Sequence, residues 1–539
     1  MPTDNPLLGP ILRHAETDPE ALFATYHDPN SGWHPVTRAT TLARAYAFAR
    51  LLRAEGAGPG SGSGSGSGDI VLLIADHGPD AHAAFLGAML AGCAPAFLPQ
   101  PSAKQDHATY WAQHRIVFQF ARAALVVAPD ALLAEVAACA EGSGTRAVAV
   151  SAVERHIRDT GPIDPPPADA VALLQHSSGT TGLKKGVALT HAAIAAQLAA
   201  YAPTLGDPQG MRIATWLPLY HDMGLVSSFL LPMWLGVPIV SLDPFVWIST
   251  PRLMLDAIAE HRATHAWMPN FAFLVLARAA RGGGRRWDLS SVRALISCSE
   301  PCKPAAFAMF SATFTPHGLR ENTLHTCYAM AETVFAVSQS VVGRPVRTLK
   351  IGGGPELLSN GPPVPGAAMR VVRDGTVLAD GEAGELQVSA PFLFRGYHHN
   401  PEATEAALDG DWYCTGDLGC VDGGEVFVTG RLKDVIIVQG RNVMAHDVEA
   451  AVSRVHGVKP GRCVAFGRFN ERHGSEELVV VAERDGTDDP TLAISDAVMA
   501  DIGVACADVR MVEPGWLVKT SSGKTSRGDN ARKYSEVIR

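Results

Sequence analysis

The sequence carries no basic surplus: 45 Lys and Arg stand against 54 Asp and Glu, for a net charge of -9. That balance argues against a dedicated nucleic-acid binder or a membrane-surface protein, whose footprint is a basic patch or stripe. Paired cysteines are also missing. The nine cysteines are an odd number with no CxxC pair, and the close pairs, Cys298 with Cys302 and Cys414 with Cys420, lack partners at metal-site spacing. A disulfide framework and a zinc ribbon are both disfavoured, and buried free thiols in a reducing cytoplasm fit better. The start, Met1 to Pro6, has neither the basic residues nor the apolar run of a signal peptide. No long hydrophobic span is present either. The longest, 226–242, is broken by Pro232 and Pro238 and falls short of the roughly 20 residues that cross a bilayer. It reads as buried core.

What is there is a globular composition, 47% hydrophobic and 18% charged, in 539 residues. At about 150 residues per unit that length implies three to four compact units. Apolar spacing predicts helix over 38–56, followed by a Gly/Ser repeat from Gly60 to Gly68 that reads as a flexible surface connection. Short apolar runs at 70–74, 94–98, 124–127, 147–150, 170–174, 239–240 and 294–296 alternate with helical stretches such as 81–92. That alternation predicts an α/β chain with largely parallel sheets. From about 364 the texture changes to short alternating runs, 369–372 and 385–388, between Gly-rich turns, which predicts an antiparallel sheet or small barrel. The expected division is a large domain over 1–430, with a β-barrel-like part at about 364–430, and a small α+β domain over 431–539. Segment 101–122 has no functional reading.

The strongest chemical signal is the run Ser177, Ser178, Gly179, Thr180, Thr181, Gly182, Leu183, Lys184, Lys185 and Gly186, just after the strand at 171–174. Backbone N–H groups freed by glycine, with hydroxyls and two lysines, suit a polyphosphate. The run lacks the GK[ST] ending of a Walker A loop, and on its own a mobile polar loop explains it nearly as well. Further along come Leu217-Pro218-Leu219-Tyr220-His221-Asp222-Met223-Gly224, then Tyr328-Ala329-Met330-Ala331-Glu332-Thr333, then Tyr413-Cys414-Thr415-Gly416-Asp417. After these stand Gly430-Arg431-Leu432-Lys433-Asp434, Gly440-Arg441-Asn442 and Lys519 to Arg527, with Lys524 inside. Each alone has a bland alternative: a satisfied core histidine, a surface carboxylate, a turn aspartate, a solvated lysine.

In this order and spacing the motifs resemble the adenylate-forming superfamily of acyl-CoA synthetases, fatty-acyl-AMP ligases, luciferases and peptide-synthetase adenylation domains, over residues 30–535. The resemblance implies an enzyme that uses ATP and Mg²⁺ to join a carboxylic acid to AMP, with pyrophosphate released. It implies that 177–186 holds the β- and γ-phosphates and that Glu332 holds Mg²⁺ with Thr180 or Thr181 nearby. Tyr328 would stack on adenine, and Ser299-Glu300-Pro301 would line its other side, with Cys327, Ala329, Met330 and Thr333 on the same wall. Asp417 would bind the ribose hydroxyls, Arg431 the ribose or phosphate, and Lys524 would bridge the carboxylate and the α-phosphate. His221 would gate the nucleotide and acyl sites. The hinge would lie at Lys433, on which the small domain swings to admit a thiol.

The string 217–225 is most similar to fatty-acyl-AMP ligases, which load the phosphopantetheine of an acyl carrier protein. The stretch from Ser338 to the turn at 361–363 is short for the insertion by which those enzymes exclude CoA, so transfer to free CoA stays open, as does a non-catalytic descendant that binds ATP or an acyl-adenylate. An enzyme transferring the γ-phosphate would release ADP instead. Position 184 is Lys where Pro is usual, 329 is Ala where Gly is usual, and Cys298-Ser299 stands for Gly-Ala.

Overall fold

The computed structural model describes residues 4–60, 68–101, 107–159, 163–176, 185–281, 284–351, 356–438, 441–470, 475–519 and 525–538. The Gly/Ser repeat at 61–67, most of the candidate phosphate loop at 177–184, and Lys524 lie outside the described residues.

Apolar runs long enough for one strand, with helices between them, pair side by side in parallel because the helices return the chain to the same edge. Four such strands, Ile70–Leu73, Ala94–Phe97, Leu125–Ala128 and Arg146–Ala149, form a parallel sheet ordered 2-1-3-4 by position in the chain. Segment 101–122 supplies one of its connections, the helix His107–Ala121. A second sheet has eight strands. Its parallel centre runs Leu324–Ala329, Ala294–Ser297, His265–Met268, Ile213–Thr215, Ile239–Ser241 and Leu22–Asp28, with an antiparallel strand at each edge, Ala336–Gln339 and Gly32–Thr37. The central strands are buried on both faces, which is why they read as unbroken apolar runs rather than alternating ones. A small third sheet joins Val171–His176, Gly186–Thr190 and the two-residue strand Gly396–Tyr397.

The long apolar run is largely buried, as expected, and divides into helix and the strand Ile239–Ser241. Met223–Leu230 is a π-helical turn with every residue buried, and it continues into Leu231–Leu235. No helix among the described residues is long and apolar enough to cross a membrane.

Beyond residue 364 the expected antiparallel sheet is found, without a closed barrel among the described residues. Strands Ala368–Arg373, Thr376–Val377, Gly384–Ser389, Leu408–Asp409, Trp412–Asp422 and Glu425–Arg431 form an open antiparallel sheet, whose ends do not pair among the described residues. Gly-rich turns set the hairpins; one edge is the two-residue strand Thr376–Val377, and the other is shared by Leu408–Asp409 and Glu425–Arg431. The last sheet draws on Val435–Val438, Arg441–Met444, Val458–Asn470, Ser475–Arg484 and Cys506–Val512 alone, with helices Ala445–Val452 and Thr491–Ile502 packed together against it. Its first strand starts four residues after Arg431.

Four histidines are carried neutral in the core. Burial lowers His82 to about 3, and His191, His265 and His325 to about 4. Among the described residues His191 has no hydrogen-bond partner on either ring nitrogen. A histidine whose folded pKa lies below its unfolded value binds fewer protons when folded, so its contribution is present above about 6.5 and is lost as pH falls toward 4. Stability should therefore drop steeply across that window. His191→Leu should melt no lower than wild type at neutral pH and lose less on going to about pH 5. Thermal melts at both pH values check this, and an equal acid loss in the variant would remove His191 from the account.

Candidate functional site

In open α/β sheets, ligands bind where the strands end at their carboxyl edge. The expected motifs gather at such an edge of the eight-stranded sheet. Ile213–Thr215 leads into 216–224, Ala294–Ser297 into Ser299-Glu300-Pro301, and Leu324–Ala329 into the turn Ala331–Thr333 that carries Glu332.

Tyr328 and Asp417 meet although 89 residues separate them: the tyrosine hydroxyl donates to Asp417 Oδ2 at 2.7 Å. The other oxygen, Oδ1, lies 2.9 Å from Arg431 Nε, and Asp417 and Arg431 face each other across the antiparallel pair Trp412–Asp422 and Glu425–Arg431. Asp417 is 6% exposed and Tyr328 7%. Burial pushes the tyrosine hydroxyl well up, and the adjacent carboxylate adds to it. The Arg431 guanidinium is raised by the same carboxylate. A carboxylate accepts about four hydrogen bonds, so Asp417 keeps lone pairs for a diol.

Glu332 sits on a strained turn. Val334, two residues on, has φ of 65°, a left-handed conformation that is costly for a β-branched residue and characteristic of sites where function fixes the backbone. Glu332 Oε1 accepts the Tyr397 hydroxyl at 2.8 Å, and the Glu332 carbonyl accepts Phe394 N–H at 2.8 Å. Lys185 Nζ lies 4.3 Å from the Tyr397 ring centre, a cation held over an aromatic face. Burial raises the Tyr413 hydroxyl, and Glu332, Tyr397 and Tyr328 add to this electrostatically. Arg431 interacts electrostatically with Glu332, so the two carboxylate clusters form one site.

The remaining wall residues take different places. Ser299 has φ of 70° and its Oγ lies 3.9 Å from Met223 Sδ. Glu300 Oε1 accepts Phe271 N–H at 2.5 Å, which ties the Ser299-Glu300-Pro301 turn to the next strand's helix. Cys327 is buried, and burial pushes its thiol well up. Ala329 and Met330 are half-buried. Thr333 is fully buried, its hydroxyl within 3.1 Å of Met330 O and 3.0 Å of Phe335 O, so it holds its own turn.

His221 Nδ1 lies 2.6 Å from Asp222 Oδ1, which also accepts Met223 N–H at 2.8 Å. The same N–H lies 3.3 Å from His221 Nδ1, so imidazole, carboxylate and amide meet at one point. Gly224 permits the turn. A Cβ there would lie 2.3 Å from Pro218 O, and Gln175 Nε2 fastens the turn from outside by donating to Tyr220 O at 3.0 Å.

Lys433 follows the last strand of the antiparallel sheet and interacts electrostatically with Arg431 and Lys185. Ser177, Ser178, Gly179, Thr180, Thr181, Gly182 and Lys524 lie outside the described residues. The flanks of Lys524 are firm. Lys519 and Thr525 form an antiparallel bridge, and Arg527 reaches Asp434 at 2.6 Å and Glu449 at 2.9 Å. Gly430 abuts this part of the chain closely, since a Cβ there would lie 2.9 Å from His446 Cε1.

Tyr397 and Arg527 are the residues that sequence reasoning missed as site components. Arg527 stood in a quoted motif but without a role. Tyr397 stands in Arg395-Gly396-Tyr397-His398, whose signal was a lone Gly-Tyr pair ahead of Pro401.

Gly224→Ala should lower stability by about 2 kcal/mol, because backbone oxygen cannot move aside as a side-chain end would. Urea unfolding checks this, and a midpoint equal to wild type would mean that the turn relaxes freely.

Among known proteins, a family profile described as AMP-binding enzyme matches residues 11–398. A putative fatty-acid--CoA ligase, fadD25, from Mycobacterium tuberculosis is 27% identical, over 99% of this chain and 98% of its own length. The medium-chain-fatty-acid--[acyl-carrier-protein] ligase JamA from Moorena producens is 31% identical over 68% of each chain. Among solved structures, one of the fatty acyl-adenylate ligases from E. coli and L. pneumophila superimposes with a TM-score of 0.88 at 24% identity, covering 100% of this chain and 98% of that one. With that match over most of its length, the chain belongs to the AMP-binding enzyme family and is a ligase of the kind that forms acyl-AMP.

Proposed function

We propose that this protein activates a fatty or related carboxylic acid with ATP and then passes the acyl group to the thiol of a carrier-protein phosphopantetheine. The acid's oxygen attacks the α-phosphorus, the bond from that phosphorus to the bridging oxygen breaks, and pyrophosphate leaves. Both reactants are anions, so the protein must neutralise and align them rather than form a covalent intermediate.

The observation that carries the reading is the convergence of Tyr328, Asp417 and Arg431 on one point beside Glu332. Asp417 receives the ribose diol, Tyr328 covers the adenine side, and Arg431 meets ribose or phosphate. Lys185, with loop 177–182, meets the departing phosphates. Ser299, Glu300 and Pro301 with Cys327, Ala329, Met330 and Thr333 form the nucleotide wall. His221 stands between nucleotide and acid. The small domain, 431–539, turns about Lys433 on the large domain, 1–430, and brings Lys524 to the reacting carboxylate. A cytoplasmic setting suits nine free cysteines.

The residues present fit Mg²⁺. Among the described residues no group of three or more His, Cys, Asp or Glu could hold a metal, and Mg²⁺ at phosphoryl sites takes one or two carboxylates, substrate phosphates and water. Glu332, with Thr181, would hold it, and it would neutralise phosphate charge. Tyr397 fixes one oxygen of Glu332 and so orients the other.

JamA is named for a carrier-protein acceptor and fadD25 for CoA. The short hairpin Thr348–Lys350 with Glu356–Leu358 is the feature that favours CoA as the second reading.

The purified protein should release pyrophosphate from ATP only when a suitable acid is present, and the acyl-AMP should be detectable by mass and trapped by hydroxylamine. Parallel reactions with CoA and with a pantetheinylated carrier separate the two acceptors. ADP in place of AMP-level products would support phosphoryl transfer instead, and nucleotide binding without pyrophosphate from any acid would support a non-catalytic descendant. Lys524→Ala should retain ATP binding and slow adenylate formation about 100-fold or more; an unchanged single-turnover rate would remove that lysine's role. Tyr397→Phe keeps the ring under Lys185 and loses the hydroxyl. Its half-saturating Mg²⁺ concentration should rise several-fold while the rate at saturating Mg²⁺ stays close to wild type. An unaltered Mg²⁺ dependence would show that Glu332 needs no such support.

A further inference from the structure

Three aromatic residues stand at the carboxyl edge of three neighbouring strands. Trp216 directly follows Ile213–Thr215, Trp247 lies on the helix Pro244–Ser249 after Ile239–Ser241, and Phe271 opens the helix after His265–Met268. The two indoles stack with centres 3.6 Å apart and planes at 7°, and Phe271 approaches both at 6.3 Å. Trp216 is 5% exposed and Trp247 1%, whereas Phe271 is 39% exposed and forms the rim. Through the bond from Phe271 N–H to Glu300, this box touches the turn assigned to the nucleotide wall. Trp216 also opens the run that contains His221.

Neither indole N–H in the stack has an acceptor among the described residues. The other deeply buried indoles do: Trp267 donates to the Tyr201 hydroxyl at 2.8 Å and Trp287 to Asp256 at 2.6 Å. A buried donor without an acceptor carries its full desolvation penalty, and native structures keep few of them. Two such donors on stacked rings, at the carboxyl edge where open α/β sheets bind ligands, call for an acceptor that arrives with the ligand.

We propose that the acid carries an oxygen on its tail, a hydroxyl or a carbonyl, and that the N–H groups of Trp216 and Trp247 receive it. This rests on the adenylation reading above. A plain alkyl chain leaves both donors unmatched, while an oxygenated chain of the right length satisfies one or both.

The test compares saturated straight-chain acids with acids of equal length that bear one hydroxyl or keto oxygen, moved stepwise along the chain. Pyrophosphate release and acyl-AMP mass are read with the full-length protein. At one position the oxygenated acid should exceed its plain counterpart about tenfold in kcat/KM. Trp216→Phe and Trp247→Phe each keep a ring in the stack and remove one donor, and in at least one of them the ratio should fall toward unity, chiefly through KM. The wild-type comparison stands even if a variant fails to fold. Plain acids matching or exceeding oxygenated ones at every position would overturn the proposal. So would full preference retained in both folded variants. No pyrophosphate with any acid would instead sink the adenylation reading, and this inference with it.

Discussion

One carboxylate holds the site together. Asp417 is buried, and it is tolerable there only because a hydroxyl and a guanidinium both turn toward it. Tyr328 comes from the end of a parallel strand, and Asp417 and Arg431 from facing strands of the antiparallel sheet, Arg431 just before the turn that carries Lys433. The parallel sheet and the antiparallel sheet are thus referenced to one pair of oxygen atoms. A displacement of either would strand a charge in the interior, and this stiffens the arrangement more than apolar contact alone would.

Around that centre the charge is arranged by sign. Lys433 lies within electrostatic reach of both Arg431 and Lys185, and Arg431 within reach of Glu332, Asp417 and Asp434. Cations crowded together repel, and the arrangement is stable only with anions between or beside them. A site meant for a negatively charged nucleotide has to sustain this tension before the nucleotide arrives. The neutral histidines of the core belong to a different account, since burial is the largest influence on each of them.

Much of the fold was legible because the central strands of the parallel sheets are short and apolar, and the period of the pattern reports the layer a strand belongs to. The antiparallel change after residue 364 was legible for the same reason, but its closure was not, since pairing at the margins depends on strand length and stagger that a local pattern does not encode. The site divides likewise. Tyr328, Glu332 and Asp417 stood in recognisable runs. Tyr397 did not, because its meaning lies in a contact 65 residues away, and the same holds for Arg527, whose partner Asp434 is 93 positions earlier. The Trp216–Trp247 stack spans 31 positions and two strands. Aromatic residues amid apolar ones carry no local mark of the partner they lack.

The two-residue strand Gly396–Tyr397 has a reach out of proportion to its length. It pairs with the strand that leaves the candidate phosphate loop, Tyr397 opposite Val187, while the next residue's N–H binds Gly186 O at 2.7 Å. The same segment grips Glu332 at both its carboxylate and its carbonyl. Gly186 and Glu332 therefore share one connector, and any coupling between binding events at its two ends is reciprocal. A ligand on the strand beginning at Gly186 that strengthened binding at Glu332 would gain the same free energy in return. Ordered or random loading of a site built this way is then a matter of kinetics alone, since the total is fixed whichever event comes first.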